Sequence, residues 1–190
     1  MWNSSIYSKS VYEDYKNSGI QEMLNRELWE DGMSNPSLNC TELYVEKDRY
    51  AVIRLLTEIA RDAIISNNWH LLAGVLRTVA WVTTESTKST DIPYFLGYMS
   101  EALLRGNGEA QEAAVMLAEE WRTQSCYELL SSAKYYSEMM DEYADSVKEE
   151  LRMELREPQS ILTFAQKIND TKEVDPEIQK VVNDNFFEML

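Results

Sequence analysis

Apolar positions recur along this chain at the three- and four-residue spacing of amphipathic helices. Tyr12, Tyr15, Ile20, Met23, Leu24 and Leu28 mark one or two helices between about Ser8 and Glu30, divided around Gly19. The run Asp31-Gly32-Met33-Ser34-Asn35-Pro36-Ser37 predicts a loop, because its residues favour turns over any regular element. The helical period returns near Asp48 and runs through Ile53, Leu56, Ile59, Ala60 and Ile64. Ser66-Asn67-Asn68 marks a turn, and a second helix follows from about Trp69 to Thr83. So short a link makes antiparallel neighbours, which predicts a first helical hairpin.

Between Thr83 and Thr90 the chain is polar, β-branched and poor in helix formers, as in a surface linker, and Asp91 with Pro93 predicts a helix start. Helices expected from Ile92 to Leu104 and from Glu109 to Arg122, separated by Gly106-Asn107-Gly108, form a second hairpin. Ser125 to Arg156 contains neither Gly nor Pro, and Leu129, Leu130, Ala133, Tyr136, Met139, Met140, Tyr143, Val147 and Leu151 keep the period. It reads as one long helix or as a third hairpin with an unmarked turn. Glu157-Pro158 is expected to end it, before a short helix around Ile161 to Ile168 and a last helix from Asp175-Pro176-Glu177 to Met189. The expectation is an all-α protein of about eight helices forming an α-solenoid or bundle. It comprises a single helical domain with an N-terminal segment (1–36), a hairpin core (48–156) and C-terminal helices (157–190).

Two of these helices match at an offset of forty residues. Asn67 falls on Asn107, Ala73 on Ala113, Val75 on Val115, Trp81 on Trp121 and Thr83 on Thr123, with Gly74/Ala114 and Leu76/Met116 conservative. In the first copy Leu72, Val75, Leu76, Val79 and Val82 form the apolar stripe; Glu112 and Glu119 occupy two of those columns in the second. The second helix is therefore expected to be rotated or more exposed. From Ala113 to Trp121, and again at Cys126-Tyr127-Glu128-Leu129-Leu130, the sequence resembles the packing helix of a HEAT-like repeat and the start of the next unit. The resemblance covers about Arg49 to Met140. It implies stacked hairpins, each burying its apolar face on its neighbour, that bind protein or nucleic acid along one face.

Charge narrows the choice of partner. Against 18 basic residues stand 33 acidic ones, a formal charge of −15, which repels phosphates and anionic membrane surfaces within about 8 Å in physiological salt. The same field draws in a basic protein; acidity that serves only solubility is the plainer alternative. Cys40 and Cys126 are too few for a disulfide framework, and Met1-Trp2-Asn3-Ser4-Ser5 lacks the basic-then-apolar pattern of a signal peptide. A reduced, cytoplasmic location is the expectation.

Candidate chemistry is sparse. His70 is the only histidine, which removes most general-base and histidine-rich metal schemes. At the head of the helix that starts near Trp69, it reads as structural or solvent-facing. No nucleophile elbow, P-loop or dinucleotide-binding glycine pattern is present. No catalytic residue, cofactor or metal ligand is therefore assigned.

The acids instead gather between Glu138 and Glu157. Asp141/Asp145 and Asp145/Glu149 are like-charge pairs one helical turn apart, each costing about 0.2–0.5 kcal/mol in an isolated helix. A basic partner would offset that cost; an ordinary solvated face is the bland reading. Tyr and Trp among carboxylates suit a protein interface, although Tyr136 and Tyr143 fall on the apolar stripe. The expected partner-binding residues are Glu112, Glu119, Glu120, Trp121, Tyr135, Glu138, Asp141, Glu142, Asp145 and Glu149. The expected function is an acidic inhibitor, in its most concrete form an immunity protein that occludes the nucleic-acid-binding site of a basic nuclease toxin. A non-catalytic adaptor or assembly subunit and a metal-dependent helical enzyme remain open alternatives.

Overall fold

The computed structural model describes residues 8–28, 35–83 and 92–170, with side chains described for 8–28, 35–82 and 95–155. Every regular element in it is a helix: α1 (Lys9–Asn17), α2 (Ile20–Arg26), α3 (Pro36–Ile65), α4 (Trp69–Thr83), α5 (Ile92–Arg105), α6 (Gly108–Trp121), α7 (Gln124–Ser132) and α8 (Glu138–Asp170). The chain divides into two compact units, 1–151 and 152–190. Within the second, residues 152–170 are helical. The last helix expected, from Asp175, lies outside the described residues.

The N-terminal pattern resolves into two short helices. Gly19, at φ 81°, turns the chain between them in a conformation that a side chain resists. Tyr12 and Tyr15 on α1, and Ile20 and Leu24 on α2, are buried, whereas Leu28 is exposed. Helix α3 begins at Pro36, well before the start expected near Asp48. Proline at the first helical position sacrifices no hydrogen bond, so the last residues of the predicted loop open a helix. Its first half inserts Ser37 and Thr41 in place of aliphatic residues. Ser37 donates its N–H to Glu27 at 2.7 Å, and Thr41 is hydrogen-bonded to Tyr15 Oη at 2.7 Å.

Asp48 then breaks α3, with φ −160° and ψ 97°. Its Oδ1 accepts the N–H of Ala51 at 3.1 Å, so it caps the second half as a new N-terminus, while Oδ2 accepts the N–H of Ser8 at the head of α1. Beyond the break, Ala51, Val52, Ile53, Leu55, Leu56, Ile59, Ala60 and Ala63 are buried.

The turn after α3 closes with Asn67 at φ 54° and Asn68 donating its N–H to Ala63 O at 2.8 Å. Asn68 Oδ1 accepts the N–H of Leu71 at 3.1 Å and so caps α4. Every residue from Leu71 to Ala80 is buried, as expected of a helix covered on all sides. Helix α4 packs against α3, α6, α2 and α5, and α3 also meets α5, so the α3–α4 and α5–α6 hairpins stack. Asn107 caps α6 through Ala110 N–H at 3.0 Å. Asn68, not Asn67, is its counterpart in α4. The two helices are thus one residue out of step with the sequence identities, a rotation of about 100°, and Trp81 is 55% exposed where Trp121 is 9% exposed.

Ser125 to Arg156 is not one helix but two, joined by a turn that no Gly or Pro marks. Thr123 caps the short α7, whose Cys126 and Leu130 are buried; residues 133–137 are non-helical, and Ser137 Oγ accepts Met140 N–H at 3.3 Å to start α8. Helix α8 continues past Glu157-Pro158 to Asp170.

Candidate functional site

Four positions on α8 face inward: Met140, Ala144, Val147 and Leu151, spaced by four, three and four residues, are buried. At about 100° per residue, Glu138, Asp141, Glu142, Asp145 and Glu149 fall within a sector about 100° wide on the opposite side of the helix. All five are exposed. Asp145 pairs with Lys148 at 2.5 Å, whereas Glu138, Asp141 and Glu142 form no ion pair among the described residues. Acids in the first turn also complement the positive end of the helix dipole, which holds Glu138 and Asp141 at little cost.

The remaining expected residues do not join this face as a set. Glu112 reaches Arg77 Nη2 at 2.9 Å on the α4 side of α6. Glu119 is half-buried and accepts the hydroxyl of Tyr143 at 2.6 Å, a strut between α6 and α8. Glu120 is exposed. Trp121 lies in the core and not at the surface, its ring meeting Phe95 edge-on with centroids 6.5 Å apart. Tyr135 is half-buried and donates its hydroxyl to Leu130 O at 2.9 Å, with Lys148 Nζ 6.0 Å from the ring centre. Burial raises its phenol pKa, and the Asp141 and Asp145 carboxylates raise it further.

Two residues assigned to the apolar stripe are instead the exposed ones. Tyr136 is 79% exposed and Met139 is 74% exposed. Tyr136 is held by its backbone. The buried Gln111 on α6 accepts the Tyr136 N–H at 2.8 Å and donates through Nε2 to Leu103 O and Lys134 O, both at 2.9 Å. One side chain thus fixes the 133–137 break to the end of α5. Tyr136 also lies beside Gly108, where an added Cβ would approach the Tyr136 ring at Cδ1 to 3.5 Å.

A second polar constellation ties α4 to α6. The buried Arg77 forks to Glu109 Oε1 at 3.1 Å and Glu112 Oε2 at 2.9 Å, and His70 Nδ1 lies 2.9 Å from both oxygens of Glu109. His70 and Arg77 are two turns apart on α4, and Glu109 and Glu112 one turn apart on α6, so each pair lies on one face. Sequence reasoning gives His70 a structural or solvent-facing role and leaves Arg77 and Glu109 without one. Elsewhere, burial raises the Cys126 thiol pKa, which keeps it protonated and a poor nucleophile. Among the described residues, no group of three or more His, Cys, Asp or Glu side chains is arranged to hold a metal ion, and no helix is long and apolar enough to cross a membrane. No family model matches the chain, and neither a curated protein nor a solved structure matches it.

Proposed function

We propose that this is a non-catalytic binding protein that captures a basic protein on the outward face of α8. The observation that carries the proposal is the placement of exposed Tyr136 and Met139 directly ahead of, and beside, a helix face bearing Glu138, Asp141, Glu142, Asp145 and Glu149. Apolar anchors supply desolvated contact, and the carboxylates supply steering and register. In its most specific form the partner is a nuclease: the carboxylates stand in for the phosphates that its Lys and Arg would otherwise hold, and the enzyme is occluded. The stacked α3–α4 and α5–α6 hairpins, in the manner of a HEAT-like array, serve as the rigid support. An adaptor role is favoured by a different observation, the exposure of Trp81 on α4 and Leu43 on α3.

Capture from native lysate at low and high salt, followed by nuclease assay of the captured protein with and without added chain, tests the inhibitor reading. A basic nuclease that salt releases and the chain silences is expected. A non-basic partner retained in high salt overturns it in favour of the adaptor.

A further inference from the structure

We infer that Tyr136 is the seat of an arginine side chain of the basic partner, an inference that rests on the acidic-face reading and specifies its chemistry. Several aromatic rings of this protein are already accompanied by one of its own cations. Lys47 Nζ lies 4.5 Å from the Tyr44 ring centre, the Arg54 guanidinium 5.8 Å from Tyr12, the Arg105 guanidinium 5.9 Å from Trp69 and Lys148 Nζ 6.0 Å from Tyr135. Tyr136, more exposed than any of these, has no such cation among the described residues.

Its surroundings favour a cation from outside. Glu138 follows Tyr136 with only Ser137 between them, which keeps their Cα atoms within about 7 Å, and Asp141 and Glu142 come one turn later on the exposed side of α8. The ring is thus followed along the chain by three exposed carboxylates, whose charge favours a cation at this end of α8. Gln111 holds the Tyr136 backbone at 2.8 Å, so docking does not have to order the segment that carries the ring. Arginine fits this arrangement better than lysine. Its planar guanidinium stacks on an aromatic face and can still fork to a carboxylate, whereas an ammonium is a compact and strongly hydrated point charge.

The test measures binding of the full chain to an arginine-only peptide and to a lysine-only peptide of equal length, at one salt concentration. The native chain is expected to favour the arginine peptide by about twofold to fivefold. Tyr136→Leu, a change at an exposed position, is expected to abolish that preference by weakening the arginine peptide more than the lysine peptide; Tyr136→Phe is expected to retain it. An equal preference in Tyr136→Leu, or none in the native chain, overturns the role of Tyr136 alone. Failure of both peptides to bind, or binding that Glu138→Gln, Asp141→Asn and Glu142→Gln together do not weaken, overturns the acidic-face reading with it.

Discussion

Gln111 accepts the backbone N–H of Tyr136 at 2.8 Å across a separation of 25 residues, so a buried amide on α6 sets where an exposed ring stands ahead of α8. Replacing it with leucine keeps the bulk but strands that N–H and removes the donor to Leu103 and Lys134. Gln111→Leu is expected to lower unfolding stability by about 1–3 kcal/mol. Chemical denaturation gives the magnitude, and hydrogen exchange should show the Tyr136 amide losing protection ahead of the α4 core. Unchanged exchange at Tyr136 would show that Gln111 is not the clamp.

Arg77 is the buried partner of two carboxylates that differ in solvent access, Glu109 at 30% and Glu112 at 55%. Solvent weakens the Glu112 pair, and most of the coupling is assigned to Glu109. Arg77→Met is expected to cost about 1–3 kcal/mol, below the range for a fully buried pair because both acids retain water. A double-mutant cycle with Glu109→Gln should return a larger coupling energy than one with Glu112→Gln. Equal couplings would contradict the assignment.

Gly74 lets α2 and α4 approach closely. A Cβ there would lie 3.0 Å from Leu24 O, a backbone atom that cannot rotate away. Gly74→Ala gains helix propensity worth about 1 kcal/mol but must shift α2. Net destabilisation of about 1–2 kcal/mol is expected in thermal or chemical unfolding. A stabilised variant would mean that α2 yields freely.

Much of this fold is legible in the sequence because α4, α5 and α6 have strong local signals: apolar positions at helical spacing in all three and, for α4 and α6, an Asn cap after a short turn of Gly or Asn. The first half of α3 is not, because Ser37 and Thr41 are buried through hydrogen bonds to Glu27 and Tyr15, partners that no periodic pattern announces. The α8 carboxylates can be read from spacing alone. Their aromatic neighbours cannot: whether Tyr135 or Tyr136 turns outward depends on Gln111, and Trp121 is buried by Phe95 from another helix. The Arg77 constellation is hidden for the same reason, since its ion pairs bridge helices that only the tertiary fold brings together.

Tyr12 makes stability sensitive to alkaline pH. Burial, then the hydrogen bond and negative charge of Glu58, push its phenol up from 10.0 to about 12. Above pH 10 the unfolded chain loses this proton while the folded chain keeps it, so the contribution is complete below that pH and is lost as pH rises towards 12. Tyr12→Phe is expected to reduce this part of the alkaline decline in denaturation experiments across that window. Titration by tyrosinate absorbance should show one late-ionising phenol fewer.

The central claim is that the α8 face, and not the overall negative charge, selects the partner. The most direct measurement compares binding of the captured basic protein by two variants with equal net charge: Glu138→Gln, Asp141→Asn and Glu142→Gln on α8, and Glu13→Gln, Asp14→Asn and Glu46→Gln on α1 and α3. All six positions are exposed. The account predicts at least about a tenfold loss of affinity, roughly 1.4 kcal/mol, for the α8 variant and near-native binding for the other. Equal losses in both variants, or a loss only in the α1 and α3 variant, would contradict it.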